Sequence, residues 1–74
     1  MRIRILGNTG LLNNGSLRET DTVKISVWNV SGGTRKFSFD KLVPQKKACS
    51  VFDEICGGLS ENGSYEIKIS AQTA

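Results

Sequence analysis

KISVWNVSGGTRKFSF (residues 24–39) is the stretch that decides the fold. Two runs rich in β-branched and aromatic residues flank a Gly-Gly pair, which is typical of a β-hairpin. The first run contains Trp28, the single tryptophan of the chain. Because side chains alternate between the two faces of a sheet, the pairing of the two runs decides whether Trp28 faces a core or a partner.

Two pairing registers fit this hairpin, and they differ by one loop residue. A two-residue Gly-Gly turn places Trp28 opposite Phe37 and leaves both faces half apolar. A three-residue loop that also includes Ser31 places Trp28 opposite Lys36 and gathers the apolar side chains on one face. We favour the second register, in which Trp28 lies on the outer surface beside a lysine. The competing interpretation packs Trp28 in the core, beneath the N-terminal segment or a second sheet.

Strand patterns recur along the rest of the chain. Residues 2–6, 22–30, 34–40 and 65–70 are strand-like, and Gly- and Asn-rich turn signals follow or separate them at residues 7–10, 13–15, 32–33, 57–58 and 62–63. Several short alternating runs at this spacing favour a mostly antiparallel β domain. With 74 residues, the chain has room for one small domain, which we assign to residues 1–74.

The segment 45–56 is ambiguous between a helix and a strand. Its apolar residues recur at helical spacing and Gly57-Gly58 would end a helix, yet the segment is rich in residues that form helices poorly. Read as a strand, it gives an all-β fold, a small antiparallel β-sandwich or barrel-like domain. Read as a helix, it gives an α+β fold, a four-stranded antiparallel sheet with one short helix around residues 45–56.

The pieces VKISVWNVSGG, FSFDKLVPQKK and ENGSYEIKIS, within residues 22–71, tip the balance towards the all-β fold. In layout they resemble small immunoglobulin-like β-sandwich accessory modules of bacterial proteins, and they look similar to the C-terminal β module of bacterial phospholipases C. The resemblance implies an all-β fold with a binding or accessory role. It implies no catalytic residue.

The residue types exclude several kinds of chemistry. The chain has no histidine, so the usual general base near neutral pH is missing, and we predict that the protein is not an enzyme. Cys49 and Cys56 offer too few ligands for zinc, and we expect no metal and no cofactor. The two cysteines form a disulfide in an oxidising compartment, or serve as small buried hydrophobic residues in a cytoplasmic chain.

Function therefore has to come from binding. The net charge is +3, and cations concentrate between residues 35 and 47. We predict a protein-binding module that acts through a sheet surface as an accessory or adaptor domain or small inhibitor. Alternatives are a nucleic-acid-binding β domain and a structural subunit of an assembly. With no signal peptide or apolar span in the sequence, we expect a cytoplasmic location, or a secreted one with the leader removed, and no membrane partner. The candidate binding residues are Trp28, Lys24, Lys36, Arg35, Lys46 and Lys47.

Overall fold

The computed structural model describes residues 1–7 and 22–72. The described strands are β1 (Arg2–Gly7), β2 (Thr22–Ser31), β3 (Thr34–Pro44) and β4 (Ser64–Gln72). A short 3-10 turn (Gln45–Lys47) leads into the helix α1 (Ala48–Gly57), which connects β3 to β4. The four strands form one sheet in the order β1-β4-β2-β3.

One face of this sheet forms the core, because each strand alternates apolar and polar side chains. Ile25 and Val27 of β2 lie beside Ile69 and Ile67 of β4, and all four are almost completely buried. The half-buried apolar side chains of α1 and the loop after it pack against them. These members are Val51, Phe52, Ile55, Cys56 and Leu59. The helix therefore covers the inner face, and its apolar spacing is explained by that contact.

The α+β alternative describes this architecture better than an all-β sandwich. The described strands form one sheet rather than two, and the ambiguous segment is helical from Ala48 to Gly57. The expected antiparallel pairing holds for β2 with β3 and β4, but β1 runs parallel to β4, so the sheet is mixed. The strand predictions at residues 2–6, 22–30, 34–40 and 65–70 are confirmed. The turn predictions at residues 8–10 and 13–15 lie outside the described residues.

The hairpin register that we favoured is wrong. The turn has two residues, Gly32 and Gly33, and both have positive φ, as a type I′ hairpin turn requires. Trp28 therefore pairs with Phe37. The next pair is Val27 with Phe39, so Ser38 is the extra residue of a β-bulge.

The bulge resolves the difficulty that made this register unattractive. Without it, Phe39 would lie on the same face as Trp28 and Phe37. The extra residue moves Phe39 to the inner face beside Val27, and it places the buried Val43 beside Val23. The aromatic pair at the tip and the aliphatic core at the base thus lie on opposite faces of one hairpin.

Tyr65 fixes the loop that joins α1 to β4. Its ring lies against Gly63, where any side chain would collide with the ring. Its hydroxyl accepts a hydrogen bond of 3.1 Å from the backbone N–H of Ser60. The Gly-x-Tyr sequence at the start of β4 therefore has a local packing reason.

Candidate binding surface on the outer face

The face of the sheet turned away from α1 carries the candidate binding surface, and we call it the outer face. Strand pairing places one residue from each strand side by side in rows across it. Its members are Arg2, Arg4 and Leu6 of β1, Lys24, Ser26, Trp28 and Val30 of β2, Arg35, Phe37, Asp40 and Leu42 of β3, and Ser64, Glu66, Lys68 and Ser70 of β4.

Trp28 lies at the centre of an aromatic and arginine cluster on this face. The Phe37 ring meets its edge at a centroid distance of 5.8 Å and an interplanar angle of 75°. The guanidinium carbon of Arg35 lies 4.6 Å from the centroid of the indole ring, within the range of a cation–π contact. These neighbours leave Trp28 half-buried, whereas Phe37 stays 57% exposed. Phe37 is therefore the most accessible ring of the cluster.

Glu66 holds Arg35 in place over the indole. Its carboxylate Oε1 lies 2.7 Å from Arg35 Nε, and the Glu66 side chain is only 16% exposed. Glu66 reaches this position because β4 pairs with β2 and sets Glu66 beside Trp28. The guanidinium is thus fixed by an ion pair on one side and the ring on the other, which lowers the entropy that it would lose on binding a partner.

A shallow hollow adjoins the cluster at the β1 and β4 side. Its volume is about 400 Å³, and small or apolar residues, Val30 and Ser64, line it together with Glu66. Arg2 and Arg4, both exposed, also line it. A side chain of a partner that entered the hollow would therefore meet two guanidinium groups, which suit a carboxylate.

The charge of the outer face is predominantly positive. Five cations, two on β1 and one on each of the other three strands, share this face with two carboxylates, those of Asp40 and Glu66. Both carboxylates are engaged, because Asp40 lies 3.5 Å from the ammonium nitrogen of Lys24 and Glu66 contacts Arg35. The cations are Arg2, Arg4, Lys24, Arg35 and Lys68. A surplus of positive charge of this kind would complement an anionic surface.

The structure brings together some of the six candidate residues and separates the others. Trp28, Lys24 and Arg35 share the outer face. Lys36 pairs with Asn29 and lies on the inner side of the hairpin tip, so the expected contact between Trp28 and Lys36 is not made. Lys46 and Lys47 are exposed in the 3-10 turn, at the end of β3 opposite the Gly-Gly turn. The cation-rich segment 35–47 is therefore not one surface.

Sequence reasoning missed Arg2, Arg4, Lys68 and Glu66. The alternation of arginine and isoleucine in β1 does predict that Arg2 and Arg4 share a face. It does not predict that β1 lies parallel to β4, and this pairing alone brings the arginines near the Trp28 cluster.

The cysteines lie apart from this surface, on α1. Both are free; Cys49 is exposed, and Cys56 is half-buried against the core. The expected pair of buried hydrophobic residues is thus wrong for Cys49. Burial raises the pKa of the Cys56 thiol, and the nearby carboxylate of Asp53 raises it further, so the thiol is a poor nucleophile. In residues 1–7 and 22–72, no group of three or more His, Cys, Asp or Glu side chains could hold a metal ion.

The comparisons with known proteins give no match for this chain. No protein-family model, no curated protein and no solved structure matches it. The resemblance to immunoglobulin-like accessory modules therefore stays a prediction. None of the helices in the described part of the chain is long and apolar enough to cross a membrane.

Proposed function

We propose that this protein is a non-enzymatic binding module whose outer face anchors an acidic surface of another protein. The observation that carries the proposal is the cluster of Trp28, Phe37 and Arg35, held by Glu66 at the centre of a cationic sheet face. Such a module acts as an accessory or adaptor domain or as a small inhibitor. The expected cytoplasmic location stays a prediction.

The residue types favour a protein partner. Tryptophan and arginine are enriched among the residues that contribute most to protein interfaces, usually near the centre of the contact. Exposed apolar side chains share the outer face with them, since Phe37 is 57% and Leu42 61% exposed. Apolar area of this kind contributes to affinity only when a partner covers it.

The charges favour an acidic partner. The two arginines at the hollow have no ion pair within the described residues, so their guanidinium groups are available. A partner carboxylate in the hollow would accept hydrogen bonds from them, while apolar partner groups cover Phe37 and Trp28. Complementary charge of this kind mainly speeds association and excludes partners of the wrong sign.

Nucleic acid is the second candidate, and the combination of aromatic rings with arginines on one sheet face favours it. A single-stranded ligand would stack its bases on the rings. However, the Arg35 guanidinium already lies over the Trp28 ring, which leaves Phe37 as the freer platform of the cluster. Binding of labelled oligo(dT) that weakens steeply with added salt would support this candidate instead.

Affinity capture from a lysate of the source organism, treated with nuclease, tests the proposal. The bait is the wild-type protein, and the test variants are Phe37→Ala and Arg4→Glu, both at exposed positions. Lys47→Glu is the matched control, because it changes the charge by the same amount away from the outer face.

We expect a defined protein to bind the wild type and the control but neither test variant. Retention of the same protein by both test variants would refute the outer face as the binding surface. Capture of the protein from an untreated lysate but not from the nuclease-treated one would transfer the support to the nucleic-acid candidate.

A further inference from the structure

A second surface lies at the opposite edge of the molecule, between β3 and α1. β3 is an edge strand of the described sheet, because it pairs with β2 alone. A groove of about 260 Å³ separates it from the helix. This volume is below the range of about 300–1,000 Å³ that holds drug-sized molecules, and it suits one apolar side chain. The lining residues are Phe39, Lys41, Val51, Glu54, Ile55, Gly58 and Leu59.

Only some of the charged side chains of β3 form ion pairs with other described residues. Asp40 contacts Lys24, and Arg35 contacts Glu66, so both are neutralised on the outer face. Lys36 and Lys41 make no ion pair with any described residue. Both lie on the inner side of the strand, because they pair with Asn29 and Ile25, which share the face that α1 covers.

Relative to β2, the bulge sets these lysines two positions on either side of Phe39. Lys36, Phe39 and Lys41 pair in β2 with residues 29, 27 and 25, respectively. These partners are spaced two apart along a regular strand. Lys36, Phe39 and Lys41 therefore follow one another at the spacing of alternate residues, as a second strand beside β3 would meet them.

We propose that the β3 edge binds an extended peptide that adds to the sheet as a fifth strand. The peptide carries the pattern acidic-x-apolar-x-acidic. Its apolar side chain enters the groove beside Phe39, and its two carboxylates lie near Lys36 and Lys41. The groove has one acid, Glu54, on its helix wall, which favours the carboxylates at the strand edge rather than deep in the groove. Backbone hydrogen bonds supply affinity, and the alternate side chains supply specificity.

This site is distinct from the outer face, so each proposal can fail without the other. The edge residues Lys36 and Lys41 are exposed, and charge reversal there leaves the core intact. The probe is a fluorescein-labelled synthetic peptide with the central sequence Asp-Thr-Leu-Thr-Asp, measured by fluorescence anisotropy. A second peptide has lysine in place of both aspartates.

We expect the acidic peptide to bind the wild type, and Lys36→Glu/Lys41→Glu to weaken that binding by about tenfold or more. The lysine peptide should prefer the double variant over the wild type. Lys46→Glu/Lys47→Glu is the control with the same change in net charge, and we expect it to weaken binding less than about threefold.

Three results would overturn the proposal. One is binding of the acidic peptide no tighter than that of the lysine peptide. The second is equal loss of affinity in the control and test variants. The third is a concentration-dependent dimer in sedimentation that Lys36→Glu/Lys41→Glu abolishes, because a second copy would then occupy the edge.

Discussion

Replacement of the central tryptophan, Trp28→Ala, separates an outer-face anchor from a core residue by its cost in stability. The change removes the edge contact with Phe37, worth about 0.5–1.5 kcal/mol. It also removes the cation–π contact with Arg35, worth about 0.5–1 kcal/mol at an exposed site. Together these two contacts account for about 1–2.5 kcal/mol of the free energy of unfolding, and the loss of the apolar area that the half-buried ring covers adds to this figure. A fully buried aromatic residue changed to alanine costs about 3–5 kcal/mol.

Urea denaturation measures this difference. Because the chain has one tryptophan, the variant loses its fluorescence probe, and unfolding has to be followed by far-ultraviolet circular dichroism. With a slope of about 1 kcal/mol per molar for so small a protein, the midpoint should fall by at least about 1 M. Ile25→Ala, at a side chain with no exposed area, is the reference and should cost about 2–5 kcal/mol.

Both extremes contradict the reasoning. A loss of about 5 kcal/mol, the upper end for a fully buried aromatic residue, would mean that Trp28 is a core residue in solution. A loss below about 0.5 kcal/mol would mean that neither Phe37 nor Arg35 contacts the ring.

Three further changes test other parts of the structure. Arg35→Ala should shift the tryptophan emission to longer wavelength, because the guanidinium no longer covers the ring. Lys36→Ala, on the opposite face, should leave the emission unchanged. The reverse result would restore the register in which Trp28 pairs with Lys36. Gly7→Ala should lower the unfolding free energy by more than about 2 kcal/mol, because φ is positive and a Cβ would collide with the carbonyl oxygen of Ile69. This loss should exceed that of either alanine change in the Gly-Gly turn. Equal thermal midpoints for Gly7→Ala and the turn variants would contradict this close approach. At pH 8 the Cys56 thiol should react with iodoacetamide more slowly than the exposed thiol of Cys49, because its raised pKa leaves less thiolate. Its rate should rise at higher pH. Equal labelling of the two thiols, measured by mass spectrometry, would refute this.

The strands could be predicted from the sequence because their signals are local. Alternation of isoleucine with charged residues in β1 and β4 identifies both, and the Gly-Gly pair identifies the hairpin. The register could not be predicted, because neither of the two uniform registers contains the bulge at Ser38. Nothing in the local pattern shows that Ser38 is an extra residue. The bulge is needed only because Phe39 and Phe37 lie on opposite faces of the sheet.

The candidate site was predictable only where it lies within one hairpin. Trp28 and the nearby Arg35 were identified from their own segment, although the stacking partner was wrongly assigned to Lys36. The hollow depends on Arg2 and Arg4, which reach it through the parallel pairing of β1 with β4. Such pairing joins segments about sixty residues apart, and no periodicity within either segment encodes it.

The indole N–H resonance of Trp28 tests the central claim most directly. The chain has one tryptophan, so a ¹⁵N-labelled sample gives one such signal at the centre of the outer face. Addition of the protein captured by the wild type should shift or broaden this signal. Addition of a protein that the wild type does not capture should leave the signal unchanged. If the captured protein binds while the indole signal stays in place, the outer face is not the binding surface.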